Sequence, residues 1–376
     1  MKSNIGRSTI SIPIRLKLWA VSGGRCELCN KLLYSDDTFG TEANFGEMAH
    51  IHAVSEEGPR AVQGMSDAEK NQIENLMLLC EQHHHMIDSK PEDYGDGYLL
   101  VKKRQHEERI RQLTGISQSQ TCRLVSFFVD ISNVELIHPD KLFLQAAALS
   151  DLYPLQDPVI ALHSGMKTRY VPNRESMESQ AHDLDDAVKR WQRELAGGKD
   201  AVALFSLAPQ PLLFKLGTLV SDQLNVSVFQ CHRNGHKWAW PLGDNSIVEF
   251  ISKKTKAEPG EIALVIDLSA EVIDERITDI LGDQLTIYHL TTTTPNPGFV
   301  RNPGIQDHFV ESFRSLLETI RNENPEMELL HIFPVMPNSL AIRAGMAYMS
   351  KADVPLILYE QAGYEAGFFP ALNIGG

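Results

Sequence analysis

Two short stretches about fifty residues apart, GGRCELCN and LLCEQHHH, constrain the N-terminal third of the chain more than any other feature. The first holds Cys26 and Cys29 at C-x2-C spacing and the second holds Cys80 and His83 at C-x2-H spacing. Together these ligand pairs make a tetrahedral, sulfur-rich site of the kind that binds structural zinc. One cation shared by both pairs would tie the segment into a small metal-stapled module. The competing reading, buried cysteines acting as small hydrophobes, leaves His83 unexplained.

The remaining composition fits that view. Of five cysteines, Cys26, Cys29 and Cys80 lie in the N-terminal third, while Cys122 and Cys231 are scattered. In a reducing compartment such clustering indicates metal rather than disulfides. A chain of 376 residues with 43% hydrophobic and 22% charged residues has enough apolar material for two folded domains. No signal-like segment and no apolar run of membrane-spanning length occurs, so a cytoplasmic address without a membrane partner is expected. The net charge of -14 is concentrated beyond the N-terminal part, which is closer to balance and can approach a polyanion.

Punctuation divides the chain. The segment KKRQHEERIRQL reads as a charged helix, and TGISQSQT after it has the small polar composition of a linker. The expected domains are 1–117, a linker at 118–124, and 125–376. Beyond the linker, apolar runs such as LVSFFVDIS, DPVIALHS, AVALFSLA, IALVIDLS and LLHIFPVM alternate with helical patterns. This alternation predicts parallel sheets covered on both faces, arranged as two linked Rossmann-like α/β units. No internal sequence repeat stands out, so the duplication rests on element count.

Within the first domain, zinc would consume Cys80 and His83 and leave His84, His85 and Asp88. On a helix His84 and Asp88 share a face, suited to a divalent cation or a phosphate. Upstream, EMAHIHAV alternates as a strand with His50 and His52 on one face. Asn75 opens the apolar run that ends at Cys80. The order His50, Asn75, His84, wrapped by the two ligand pairs, resembles the HNH endonucleases over about residues 15–113. The resemblance implies a ββα-metal core. It implies His50 as the general base, Asn75 as the residue holding the base strand and loop, and His84 with Asp88 as ligands of a catalytic Mg or other divalent cation. Ala49 stands where that family usually has a metal ligand; Glu47, His52 or water is the substitute. A histidine near neutral pKa is a suitable base, and a cation offsets the charge that makes a phosphodiester resist attack. The helix from Lys102 to Arg111 offers phosphate contacts or is simply solvated.

The segment HIFPVMPNSLAIRAGMAYMSKADVPLILYEQ, a strand, a Pro-Asn-Ser helix start and a closing strand, resembles the SAVED domains of bacterial antiphage defence. The resemblance extends over about 125–376. It implies a fused pair of CARF-like units that bind a cyclic oligonucleotide. Candidate ligand-binding residues are Lys167, Arg169 and Tyr170 after one strand, Thr292, Thr293 and Arg301 after another, Pro337 and Asn338 at a helix start, and Trp238 and Trp240 as stacking faces. For each tryptophan, core packing is the competing reading.

The expected protein is therefore a CBASS-type effector. In this reading a cyclic dinucleotide, including guanine-containing ones, drives dimers into tetramers, and the HNH domain then degrades double-stranded DNA with little sequence preference. Two other readings are a catalytically inactive zinc-stabilised DNA-binding module regulated by the second domain, and a modification-dependent restriction nuclease. The acidic second domain weighs against the last.

Overall fold

The run Leu76–Cys80 is apolar and buried at every position, so it reads as a strand covered on both faces. In the computed structural model, residues 10–35, 44–117, 120–129, 140–155, 159–162, 171–194, 200–220, 225–232, 238–363 and 367–375 are described. The chain divides into two compact units, Met1–Ile116 and Ser117–Gly376. Among the described residues no helix is long and apolar enough to cross a membrane.

The first unit contains α1 (Ile12–Val21), β1 (Gly46–His50), α2 (Asp67–Lys70), β2 (Leu76–Cys80), α3 (Glu81–Ser89) and α4 (Asp96–Gly115). β1 and β2 pair antiparallel, with Glu47 opposite Leu79 and His50 opposite Leu76. Cys80 ends β2 and is also the N-cap of α3, so the strand runs straight into the helix. A core that includes Leu18, Leu33, Ala49, Ile51, Leu78 and Ile87 holds these elements together. The strand expected through EMAHIHAV stops at His50. The Asn75 amide accepts from the His52 N–H at 2.8 Å and donates to the His52 carbonyl at 3.0 Å. Those are the two groups a continuing strand would have placed in its ladder, so His50 and His52 do not share a strand face.

The second unit has two sheets. β3 (Thr121–Phe128), α5 (Asp140–Ala148), β4 (Tyr153–Pro154), β5 (Ile160–Ala161), α6 (Arg174–Glu194), β6 (Ala201–Leu207), α7 (Gln210–Leu219) and β7 (Val226–Phe229) form the first half. Its sheet runs β4-β3-β6-β7 with β5 also on β3, and its pairings are parallel. β8 (Phe250–Ala257), β9 (Glu261–Asp267), α8 (Glu275–Leu281), β10 (Leu285–Thr292), α9 (Pro303–Glu323), β11 (Leu330–Val335), α10 (Asn338–Ala347), β12 (Leu356–Gly363) and β13 (Gly367–Ile374) form the second. Its order is β13-β12-β11-β9-β10-β8. The inner four strands are parallel, whereas β8 and β13 are antiparallel edges. The expectation of purely parallel sheets thus fails at the rims. β8, FISKKTKA, is mostly exposed and carries three lysines, a composition that discourages further edge pairing.

The duplication expected from element count is matched residue by residue at one pair of helices. Pro209-Gln210, Leu212, Lys215 and Gly217 of α7 and its cap recur as Pro337-Asn338, Leu340, Arg343 and Gly345 in α10 and its cap. Each helix is 10 residues long with a proline N-cap in the same extended conformation. Lys215 pairs with Asp185 of α6 at 3.0 Å, and Arg343 pairs with Asp307 of α9 at 2.6 Å. Only a few identities survive, mostly separated by changed apolar residues, so periodicity alone hides the repeat.

α7 and α10 cross with their backbones in contact. A Cβ on Gly217 would meet the Ile342 carbonyl oxygen at 2.1 Å, and one on Gly345 would meet the Phe214 carbonyl oxygen at 2.0 Å. One apolar core, including Leu204, Phe214, Leu264, Phe309, Leu340 and Ile342, runs through both halves around this crossing. Replacing Gly345 with Ala should lower stability by about 2–3 kcal/mol, because helix backbones have to separate rather than a side chain rotate. Urea or thermal denaturation followed in the far ultraviolet checks this; an unchanged midpoint would show that the helices separate without cost.

Candidate functional site

The first unit brings the expected metal ligands together. The Cys26 N–H donates to the Lys31 carbonyl at 2.9 Å, and Asn30, at φ 62°, closes a tight knuckle. Glu27 ties that knuckle to β2: its N–H donates to Leu78 O at 2.9 Å, and its carboxylate accepts from the Leu78 N–H at 3.1 Å. Cys80 at the end of β2 and His83 in the first turn of α3 complete the group. The ligand atoms of Cys26, Cys29, Cys80 and His83 all lie within 4.8 Å of one another. A tetrahedral zinc with Zn–S near 2.3 Å separates its sulfurs by roughly 3.8 Å. The Cys29 and Cys80 sulfurs are 4.0 Å apart, and the Cys26 sulfur is 3.8 Å from His83 Nδ1. Spacing and donor chemistry therefore fit zinc. Cys122 and Cys231 lie elsewhere, and burial pushes each thiol up to about 11, leaving them inert.

On the same helix, His84 stands between two carboxylates. Its Nδ1 meets Glu47 of β1, and its Nε2 faces Asp88 Oδ2 at 3.6 Å, one turn on. The other Asp88 oxygen takes Arg60 Nη2 at 3.3 Å. Arg60, at φ 55°, is itself buried and donates to the Ile51 carbonyl at 2.8 Å and the Ile87 carbonyl at 2.5 Å. Two donors bound to one ion at about 2.0–2.2 Å stand roughly 3–3.5 Å apart. The gap between Nε2 and Oδ2 is close to that width. Glu47 and Arg60 support the two donors from behind, and Arg60 escaped the sequence reading. Glu47 meets the Nδ1 edge of the imidazole, and the gap to Asp88 opens from Nε2. Ala49 itself is buried in the core. An open cleft along α3 is lined by Glu47, Gln82, His84, His85, Asp88 and Ser89.

His50, at the end of β1, is not among the cleft's lining residues; its Nε2 is 3.1 Å from Asn71 Oδ1. Asn75 is buried and donates also to the Lys70 carbonyl at 2.9 Å, while its own carbonyl accepts from Ile51 N–H at 2.8 Å. It clamps the end of β1 to the turn before β2. His52 Nδ1 pairs with the Arg60 carbonyl at 3.2 Å.

The ligand residues expected in the second unit divide sharply. Lys167, Arg169 and Tyr170 lie outside the described residues. Trp238 is buried with its ring edge-on to Phe143 and Phe205, so it packs core and offers no stacking face. Trp240 is half-buried and stacks on Phe229. Arg301 is held by Asp244 at 2.5 Å. Hydrogen bonds from Ser246 and then Arg301 keep the Asp244 carboxyl well below the carboxylate range. Thr293 is exposed and Thr292 is buried.

Pro337 caps α10 and Asn338 opens it, but the adjacent Ser339 N–H is already taken by Gln230 Oε1 at 3.1 Å. Several buried polar atoms at the carboxyl ends of β6, β9 and β10 and at the start of α10 have no hydrogen-bond partner among the described residues. These are Ser206 Oγ, Asp267 Oδ1, Thr292 Oγ1 and Ser339 Oγ. In open α/β sheets this edge is where ligands bind, and unpaired buried polar groups there are ready to receive one. Ser206 and Asp267 were not anticipated, since each lies inside an apolar strand pattern.

The model of a known family, "SMODS-associated and fused to various effectors sensor domain", abbreviated SAVED, matches residues 184–374, about half of the chain. The chain belongs to the SAVED family. No curated protein matches it. A structure of the Acinetobacter baumannii Cap4 SAVED/CARF-domain containing receptor with the cyclic trinucleotide 2'3'3'-cAAA is similar over 82% of this chain and 64% of that one, at 14% identity and a TM-score of 0.44. The Moraxella osloensis Cap4 SAVED/CARF-domain containing receptor is similar over 78% and 60%, at 12% identity and a TM-score of 0.42. The chain thus spans less than two thirds of the length of those receptors.

Inside the SAVED unit the helix pair is capped reciprocally. Glu360, near the end of β12, accepts from the Gln210 N–H of α7 at 3.0 Å, while Gln230, just after β7, caps α10. The Gln210 side chain also brackets Met336, donating to its carbonyl at 2.8 Å and accepting from its N–H at 3.2 Å. Burial pushes the Glu360 carboxyl up to about 7 against the two amide donors that stabilise its charge. A carboxyl raised above its unfolded value near 4.5 contributes stability that is full below that value and lost as pH rises through 7. Denaturation midpoints should therefore fall between pH 5.5 and 8 in the native protein and fall less in Glu360→Gln. Parallel curves for the two proteins would remove Glu360 from the account.

For the cysteine quartet, metal analysis of the purified chain should find about one zinc per chain, lost in Cys80→Ser. A strong chelator should melt the first unit, because such sites supply folding energy directly. Retention of fold and absence of zinc would return these cysteines to the status of small hydrophobes.

Proposed function

We propose that this chain is a ligand-gated DNA endonuclease, an effector of CBASS-type antiphage defence. In this reading its SAVED unit senses a cyclic oligonucleotide, and its first unit is a zinc-stapled HNH nuclease. The observation that carries the nuclease half is the gap between His84 Nε2 and Asp88 Oδ2, braced by Glu47 and Arg60. It lies on a β1, β2, α3 succession with His50 at the end of β1. The family to which the chain belongs, a sensor fused to various effectors, supports the sensor half.

The chemistry assigned to these residues is hydrolysis of a phosphodiester in double-stranded DNA. A water oxygen attacks phosphorus as His50 takes its proton, the bond from phosphorus to the leaving sugar oxygen breaks, and that oxygen gains a proton from solvent. Mg or another divalent cation, held by His84 and Asp88, would offset the charge that builds on the phosphate oxygens. Asn75 keeps the His50 strand end and the following loop in register. A cyclic dinucleotide or trinucleotide with its phosphates against the strand ends would supply acceptors for Ser206, Thr292 and Ser339. Such a ligand activates only if it binds the assembled, cutting state better than the resting one; dimers joining into tetramers are the assembly proposed.

Ala49 favours a second reading. With no ligand at that position, the first unit would be a zinc-stabilised module that binds DNA without cutting it. Plasmid degradation in Mg with a panel of cyclic di- and trinucleotides separates the two. Native protein should cut only with a matching ligand. His50→Ala should lose roughly 100-fold or more of the rate while still assembling on ligand by light scattering. Cutting that survives in His50→Ala would remove the base assignment, and ligand binding without any cutting would establish the second reading.

A further inference from the structure

We propose that Asn71 is a positioning residue for His50: it holds the imidazole as the Nε2–H tautomer and so makes Nδ1 the proton-accepting atom. The catalytic consequence rests on the nuclease reading above; the tautomer assignment does not.

The assignment follows from the hydrogen-bond network. The Asn71 amide has one end that donates and one that accepts. Its Nδ2 lies 3.0 Å from the Asp67 carbonyl oxygen, which has no hydrogen to give, so the nitrogen is fixed on that side. Oδ1 then faces His50 Nε2 at 3.1 Å and can only accept. Nε2 must carry the hydrogen. A neutral imidazole has one N–H, so the lone pair is on Nδ1, which has no hydrogen-bond partner among the described residues.

The short segment carrying Asn71 is unusually well restrained for its length. A reciprocal box between Ser66 and Glu69 caps the start of α2. Lys70 Nζ donates to the Val54 carbonyl at 2.8 Å, tying α2 to the loop beyond β1. The Lys70 carbonyl in turn accepts from Asn75. Asn71 is itself buried, whereas His50 is half-exposed. A rigid, buried acceptor behind a half-exposed imidazole is the arrangement that orients a base without occupying its working face. A histidine kept only for packing would have no need of an acceptor whose amide orientation is fixed from the far side.

The test uses the full chain with nitrogen-15 histidine, the His50 signals being identified by their loss in His50→Gln. Native protein should show a protonated Nε2 whose hydrogen exchanges slowly with water, and an unprotonated Nδ1. Asn71→Ala should abolish the slow exchange and move both nitrogens toward averaged values, while Asn71→Asp, which still accepts from Nε2–H but gives up the bond to the Asp67 carbonyl, should retain the protonated Nε2. Thermal midpoints measured on the same samples identify any variant that fails to fold, in which case Asn71→Leu replaces Ala. In cleavage assays Asn71→Ala should lose roughly 10- to 100-fold in rate, the scale found for groups that orient a histidine from behind, at unchanged DNA affinity and with recovery in Asn71→Asp. A protonated Nδ1 in native protein, or signals indifferent to Asn71→Ala, would overturn the proposal. If native protein never cuts DNA yet shows the Nε2–H pattern dependent on Asn71, the tautomer assignment is upheld and the nuclease reading fails.

Discussion

Two helices that touch through their backbones need a glycine on each side, and Gly217 and Gly345 meet this need where α7 crosses α10. The rest of the SAVED unit is arranged around that contact. Because the helices approach so closely, one face of each sheet joins a single shared core, while the other faces close on separate clusters around Phe143 and Phe205 in the first half and Val265 and Phe333 in the second. The same approach brings each helix start within reach of the opposite half, so Glu360 and Gln230 can cap across the crossing. The junction between halves is therefore held by packing, which is insensitive to a ligand, and by a few hydrogen bonds at helix starts, which a bound anion could perturb.

The first unit depends on a different kind of constraint. Its sheet has two strands, too few to stand alone in water, and its core is small. The knuckle at Cys26, the β2 to α3 junction at Cys80 and the Asn75 clamp do the work that a larger core would do elsewhere. Arg60 has a similar role with one side chain, satisfying the Ile51 and Ile87 carbonyls while touching Asp88. The residues proposed for chemistry thus sit on short elements tied by the Cys/His cluster and buried polar groups, and a change at any tie will be felt at the cleft.

Much of the local pattern was legible. The C-x2-C and C-x2-H pairs announced a shared site, and their ligand atoms do converge. The one-turn spacing of His84 and Asp88 put both on one face, as found. Apolar runs located β6, β9, β10 and β11 because fully buried strands need no alternation. Legibility ended where a residue's role depends on something distant in sequence. Trp238 has the same composition whether it stacks a base or fills a core, and only Phe143 and Phe205 around it decide. The strand through His52 failed for the same reason, since Asn75 reaches back from beyond the next turn to take its backbone groups.

The sequence by itself determined the inner buried strands of the second unit, the Cys/His pairs and the placement of histidines on β1 and α3, because these follow from spacing within one element or one short motif. Only the tertiary structure decided that α7 and α10 are a duplicated pair, that Ala49 faces the core, and that Glu47, Arg60 and Asn71 stand behind the histidines and Asp88. Each of those facts depends on groups from separate segments meeting at hydrogen-bond or contact distance. No periodicity along one segment encodes such a meeting.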